Sequence, residues 1–275
     1  MLPDPVSTIQ FYKDGFFGYG ESGNFQFWTL AHFIPLAILA VILFLIIFYR
    51  EKLRNWKYER AFRFCLAALM ILVEMSYYWR ILYVGTEGLE QHLLTKLPLQ
   101  VCEWTCILAS FMMMSENRHL YAICFFTALT CSVIPLFYPS VIPRTGPAYY
   151  RYYQFWGEHM LPIIGVIYMT FVKRMSVKLS EIWKPAAYLL TLAFIAIPVN
   201  AAIPGANYAY LSSDPTLPGN GIAKIFPKNV WLKLLVYIAV VIAIFLLVYL
   251  VNYLIRKGVK KHAERKTARR VIEDD

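Results

Sequence analysis

Seven long apolar stretches take up most of this chain, and its positive charges collect in every second connection between them. A membrane-spanning helix needs about 20 mostly apolar residues. Inside lipid the helix satisfies every backbone polar group without help from water. With 59% hydrophobic and only 16% charged residues, the chain reads as an integral membrane protein. The pattern predicts helices over 27–49, 61–83, 97–114, 120–138, 155–172, 185–203 and 230–254. The connection Ser115-Glu116-Asn117-Arg118-His119 is short enough to force a tight antiparallel hairpin between the third and fourth.

Charge gives the expected orientation. The first connection carries Arg50, Lys52, Arg54, Lys57 and Arg60, with Arg63 just inside the second helix; the third carries Arg118; the fifth carries Lys173, Arg174, Lys178 and Lys184. Eight more Lys and Arg, from Arg256 to Arg270, follow the last apolar stretch. The N-terminal segment and the even connections hold only Lys13, Lys96, Arg144, Arg151, Lys224 and Lys228. Short loops rich in Lys and Arg stay cytoplasmic, which puts the N-terminus outside, the C-terminus inside and the protein in the cell membrane. The net charge of +10 then needs no nucleic acid, because orientation and attraction to anionic inner-leaflet lipid explain it. No cleavable signal peptide is expected, since the first apolar run starts late and is too long for one. The five cysteines, Cys65, Cys102, Cys106, Cys124 and Cys131, all fall in predicted helices, so structural disulfides are not expected. The expected organisation is an aromatic extracytoplasmic segment at 1–26, an all-α seven-helix transmembrane bundle at 27–254, and a basic cytoplasmic tail at 255–275 that is frayed or disordered.

Two outer segments are richer than plain connectors. The stretch from Phe11 to Tyr19 is aromatic and glycine-rich, which suits an interfacial anchor or a lid over an outward cavity. The connection 204–229 holds four prolines and three glycines, yet carries Asn207-Tyr208-Ala209-Tyr210-Leu211. That segment is too aromatic for plain disorder and is expected to fold back onto the helix ends.

Ionisable groups inside lipid are costly, so each is a candidate for function, with a partner to be named. His32 lies near the outer end of the first helix, Glu74 near the middle of the second, and Arg80 near its outer end. Gln100, Cys102 and Glu103 open the third, Glu158 and His159 sit in the fifth, and Asn200 closes the sixth. All but Glu74 fall in the outer third, which suggests one outward-facing polar cavity. The bland readings are snorkelling for Arg80 and single interhelical hydrogen bonds for His32 and His159. A mid-membrane Glu74 needs a proton or a cation, and Arg80 or His32 could serve. No metalloprotease, phosphate-loop or serine-elbow motif is present. Cys102 and Cys106 at one-turn spacing suit packing better than metal binding, and no metal or cofactor is expected. The useful pairing is a thiol, Cys102 or Cys106, with His159 as its base.

These residues resemble a family. His32, the run Leu97-Pro98-Leu99-Gln100-Val101-Cys102, Phe155-Trp156-Gly157-Glu158-His159, and Asn200 followed by Asn207-Tyr208-Ala209-Tyr210-Leu211 and Pro215 are similar to the YwaF-like bacterial membrane proteins. The eukaryotic relative of that family is the acyltransferase called transmembrane protein 164. The resemblance implies transfer of fatty acyl groups between membrane lipids through a cysteine thioester, with His159 as the assisting histidine. In the eukaryotic pattern the cysteine and a histidine directly follow the proline; here those places hold Leu99 and Gln100, and Cys102 comes slightly later. The reading is therefore acyl transfer or ester hydrolysis on lipids, with Cys102 as nucleophile, His159 as base, and Gln100 or Asn200 as oxyanion donors. The other readings are a transporter or receptor that holds a small polar ligand or lipid headgroup through His32, Glu74, Arg80, Glu103, Glu158, Asn200, Asn207 and Tyr208, or an accessory subunit without a small-molecule site.

Overall fold

The structure, a computed structural model, describes residues 15–18, 25–84, 97–138, 146–212 and 229–274, with side chains described up to 258. Most of the aromatic N-terminal segment and residues 213–228 of the sixth-to-seventh connection lie outside the described residues. Among the described residues the regular structure is entirely helical. In chain order the helices are α1 (Leu30–Phe48), α2 (Arg50–Arg54), α3 (Glu59–Val84), α4 (Val101–Ser115), α5 (Arg118–Thr127), α6 (Val133–Phe137), α7 (Tyr150–Phe171), α8 (Trp183–Ala202) and α9 (Val230–Asp274). A π-helical turn at Ala128–Ser132 joins α5 to α6 into one continuous rod.

Five segments are long and apolar enough to cross a bilayer: Leu30–Phe48, Glu59–Leu82, Arg118–Phe137, Leu179–Ala202 and Val230–Gly258. Large apolar side chains such as Leu30, Phe44, Phe194 and Leu235 stand exposed on them, as lipid-facing surfaces require. The shorter α4 and the more polar α7 run between the same two ends of the bundle. Helix α7 is its central pillar, packed against α1, α3, α4, α5 and α6 and buried along nearly its whole length. Its polar residues face protein rather than lipid, which is why a less apolar sequence can occupy that place. Close approach to α3 depends on two glycines. A Cβ on Gly165 would lie 2.8 Å from Met70 Cε, and one on Gly157 would lie 3.1 Å from Val73 Cγ1. Small residues are the usual means by which membrane helices come this near.

Hydrogen bonds and ion pairs define the two ends. At one end Arg54 donates to the carbonyls of Val172 (2.6 Å) and Phe171 (2.9 Å), filling acceptors that the C-terminus of α7 leaves open. Buried Arg63 pairs with Glu59 (2.7 Å) and Glu116 (2.6 Å), and Lys173 pairs with the same two carboxylates at 3.7 and 3.1 Å. Arg256 of α9 donates to Met175 O at 2.6 Å. The basic segments thus gather at a single end. At the other end Tyr150 N–H meets Phe16 O (2.8 Å), and Lys233 Nζ meets Ser212 O (2.8 Å).

Prolines inside the helices leave carbonyls without their usual donor four residues on. Pro35 frees Ala31 O, which accepts from the Tyr152 hydroxyl. Pro135 frees Cys131 O, which accepts from Cys102 Sγ at 3.5 Å. Two observed boundaries differ from expectation. Pro98 biases Leu97 toward extended backbone, so α4 starts only at Val101 with Gln100 as its N-cap. The last helix, expected to end at Leu254 with a frayed helix end or disorder beyond it, continues to Asp274. The basic tail is rich in Lys, Arg, Glu and Ala, contains no proline, and keeps Lys260–Glu264 and Arg269–Glu273 at helix-stabilising i,i+4 spacing.

Candidate functional site

Three carboxylates lie within electrostatic range inside the bundle, though not close enough to hold one metal ion together: Glu74 of α3, Glu103 in the first turn of α4, and Glu158 of α7. Glu158 and Glu103 are the electrostatic neighbours of Glu74, together with Arg151. Arg151, Gln154 and Glu158 fall on one face of α7 at i, i+3 and i+7. There Glu158 Oε2 accepts from Arg151 Nη1 at 3.4 Å and from Gln154 Nε2 at 3.1 Å. The Gln154 amide also reaches Val73 O at 3.4 Å, beside Glu74. The Arg151 guanidinium lies over the rings of Tyr77 (4.6 Å) and Phe155 (5.8 Å). Glu103 Oε2 accepts from Gln100 N–H at 2.9 Å, so this acid also caps its own helix.

The cluster is incompletely satisfied. Glu74, 1% exposed, has an Oε2 without a hydrogen-bond partner among the described residues, and so do Tyr78 Oη, Gln154 Oε1 and Trp156 Nε1. Buried polar atoms nearly always find partners, and an orphan costs about 1–3 kcal/mol. The expected cation beside Glu74 was Arg80 or His32; the structure puts Arg151 there instead. The sequence reading had counted Arg151 as a loop charge because it began the fifth helix at 155. Five added residues, about one and a half turns, bring Arg151 onto the Glu158 face, and the seven-residue spacing of the pair is the signal available.

Other candidates are committed to architecture. His32 is fully buried in a cage that includes Phe25, Phe27, Trp28 and Trp156. Its Nδ1 accepts from Trp28 N–H (3.4 Å), so Nε2 carries the proton and donates to Leu136 O at 2.8 Å. That neutral tautomer closes the C-terminus of α6. Arg80 donates to Phe17 O (2.7 Å) and Gly18 O (2.9 Å), which holds the N-terminal segment against α3.

Asn200, Asn207, Tyr208 and Gln100 form a clamp. Asn200 accepts from Tyr208 N–H (2.7 Å) and donates to Tyr208 O (3.0 Å), so one side-chain amide copies a backbone pairing. Gln100 accepts from Ala209 N–H (3.1 Å) and donates to Asn207 O (3.5 Å), while the Tyr208 hydroxyl accepts from Leu97 N–H (2.7 Å). The clamp holds Ala209 and Tyr210 at φ of 51° and 57°, a left-handed conformation that side chains resist. The Gln100 and Asn200 amides, expected as oxyanion donors, are both bonded to this loop.

Cys102 and His159 are not hydrogen bonded to each other. Cys102 has Glu158, Cys131, Glu103 and Glu74 as electrostatic neighbours, so it borders the carboxylate cluster while its thiol serves Cys131 O. Cys106 is fully buried and donates to Met70 O at 3.6 Å. His159 donates from Nδ1 to Phe155 O (2.8 Å), one turn back on its own helix. That bond fixes the tautomer and leaves the Nε2 lone pair unbonded among the described residues, next to Glu158 and Arg151 in the electrostatic surroundings of the ring. Among the described residues no three metal-ligating side chains converge.

Lipid-facing helices around a pillar that carries buried charge define a multi-pass helical membrane protein. Residues 27–249 match the TMEM164 family, and the chain belongs to that family. No curated protein and no solved structure matches the chain.

Proposed function

We propose that this family member crosses the cell membrane seven times with its basic end in the cytoplasm, and that it acts on membrane lipids by acyl transfer or ester hydrolysis at an outward-opening polar cavity around the buried carboxylate cluster. The observation that carries the reading is His159, held by Phe155 O in one tautomer with a free Nε2 beside Glu158. A buried imidazole fixed in this way is ready to take a proton from a nucleophile. The seven crossings rest on seven rods that run between two ends. The orientation rests on the gathering of basic segments at one of them.

Two routes use the same base. In the first, His159 Nε2 removes the proton from a lysolipid hydroxyl or a water. The resulting oxygen nucleophile attacks the ester carbonyl of a phospholipid, and the departing lysolipid oxygen takes the proton back from His159. In the second, the Cys102 thiol leaves Cys131 O, loses its proton to His159 and attacks the same carbonyl. The departing lysolipid oxygen takes that proton from His159, leaving the acyl group as a thioester; a hydroxyl or water, deprotonated by the regenerated His159, then displaces the Cys102 thiolate, which takes the proton back. The first route fits the observed hydrogen bonds without rearrangement.

The test is acyl exchange in proteoliposomes holding a phospholipid and an isotope-labelled lysolipid, read by mass spectrometry. His159→Ala abolishes exchange on either route, whereas Cys102→Ser abolishes it only on the thioester route. An acyl-mimicking electrophile that labels Cys102 only when His159 is present selects the second. If wild type shows no exchange or hydrolysis, the lipid-chemistry reading fails. The second reading is then a binding site for a small polar ligand bearing donors and positive charge. Its support is the pair of unbonded acceptors, Glu74 Oε2 and Gln154 Oε1, among three carboxylates and one guanidinium.

A further inference from the structure

The basic end of the bundle holds two cations that contribute to the orientation signal yet take no part in its helix-end contacts. Of the cations between α1 and α3, Arg54 and Arg63 are consumed by the helix-end carbonyls and carboxylates described above. Lys57 and Arg60 are exposed and have no carboxylate partner among the described residues. They lie only against the rings of Tyr58 (5.1 Å) and Phe64 (5.5 Å). Together with Ala61 these four side chains line an open groove of about 410 Å³.

The groove continues into an apolar track. Below Arg60, the exposed face of α3 runs through Ala61, Phe64, Cys65, Ala68, Leu69 and Leu72 at helical spacing. Helix α3 has 26 residues and is about 39 Å long at 1.5 Å per residue, longer than the roughly 30 Å hydrocarbon layer. Its first turns therefore reach headgroup level while the track stays at acyl-chain depth. A phosphate bridged by Lys57 and Arg60 would sit directly above a place for an acyl chain.

We propose that Lys57, Arg60, Tyr58 and Phe64 form a binding site for one anionic phospholipid, with the phosphate between the two cations and an acyl chain along the α3 track. Continuity with the lipid-facing track favours a phospholipid over a soluble anion. Basic pockets at the cytoplasmic surface are a known physical means of holding anionic headgroups.

The test uses the full-length protein in nanodiscs of phosphatidylcholine with or without phosphatidylglycerol. Lipids retained after detergent extraction are counted by native mass spectrometry. Wild type is expected to retain a phosphatidylglycerol molecule and no phosphatidylcholine. The variant K57Q/R60Q is expected to weaken that retention roughly 30-fold, given the usual gain per cation near an anionic surface. K52Q, which removes an exposed cation outside the groove, is expected to retain lipid as wild type does. A61W fills the groove without touching its charge and is expected to lose the lipid. Equal retention of both lipids by wild type overturns the proposal, as does an unchanged K57Q/R60Q. Retention by A61W would reduce the groove to diffuse surface charge. Displacement of the lipid by millimolar inorganic phosphate would make it a free-anion site instead.

Discussion

Glu74 and Glu158 sit in one buried cluster, and neutralising them is expected to move stability in opposite directions. Glu74→Gln keeps the side-chain shape and takes an acid out of the electrostatic reach of two other carboxylates. It also replaces an acceptor oxygen that has no partner, a defect worth about 1–3 kcal/mol, with an amide whose donors can reach neighbouring acids. The expected result is a gain of about 1–2 kcal/mol. Glu158→Gln instead removes the carboxylate that accepts from Arg151 at 3.4 Å and Gln154 at 3.1 Å. Breaking one side of a buried pair costs about 3–5 kcal/mol. The long Arg151 contact and the Tyr77 ring that remains under the guanidinium place the loss near the lower limit, at about 3 kcal/mol. The measurement is reversible unfolding in mixed micelles by added dodecyl sulfate, followed by tryptophan fluorescence. The double variant should be non-additive by more than about 0.5 kcal/mol, because the gain at position 74 arises partly from the charge at 158. If Glu74→Gln destabilises as much as Glu158→Gln, Glu74 is a paired structural acid and the reasoning fails.

Three further outcomes follow from the described bonds. Arg63→Met leaves Glu59 and Glu116 with Lys173 as their one described cation, beside the Tyr168 hydroxyl on Glu59, and should cost about 3 kcal/mol in the same unfolding assay; Glu59→Gln added to it should recover part of that loss. Asn200→Ala removes both bonds to the Tyr208 backbone and should cost about 2 kcal/mol, with faster hydrogen exchange confined to 206–212. His159→Ala should change stability by no more than about 1–2 kcal/mol, because its only described hydrogen bond goes to a carbonyl of its own helix, so any larger loss of acyl exchange is chemical rather than structural.

The helices were legible because apolar runs long enough to span lipid have few alternatives, and the basic segments that share an end were legible from charge alone. Helix α7, which is not among the five segments apolar enough to cross a bilayer, is the central element. Hydropathy measures fitness to face lipid, and this helix mostly faces other helices. Glu74, Glu103 and Glu158 were legible as costly residues, Glu74 near mid-membrane and the other two in the outer third, but their meeting was not, nor was their cation, because the start of α7 was placed beyond Arg151. The clamp was less legible still. Asn200, Gln100 and Tyr208 could each be flagged as polar, yet their partners are backbone groups of a loop that folds back, and no local pattern says which amide meets which carbonyl. The role of Cys102 needed Pro135 as well: the sequence shows a thiol and a proline, and only the fold shows that one fills the acceptor freed by the other.

That outcome suggests a way to rank polar residues in a membrane bundle. Each was expected to be functional on the ground that lipid makes it costly. The structure divides them by whether their hydrogen-bonding capacity is already used. His32 uses both ring nitrogens, the Gln100 and Asn200 amides are engaged at both oxygen and nitrogen, and Arg80 serves two carbonyls. Their cost in lipid is offset where they stand, and architecture is sufficient reason for them. Glu74 Oε2, Gln154 Oε1, Tyr78 Oη and His159 Nε2 keep unused capacity inside a bundle where side chains fill the carbonyls freed by Pro35 and Pro135. A fold that supplies donors to Ala31 O and Cys131 O had the means to satisfy these groups too. Their unused capacity is the physical ground for placing the chemistry at the carboxylate cluster rather than at the clamp.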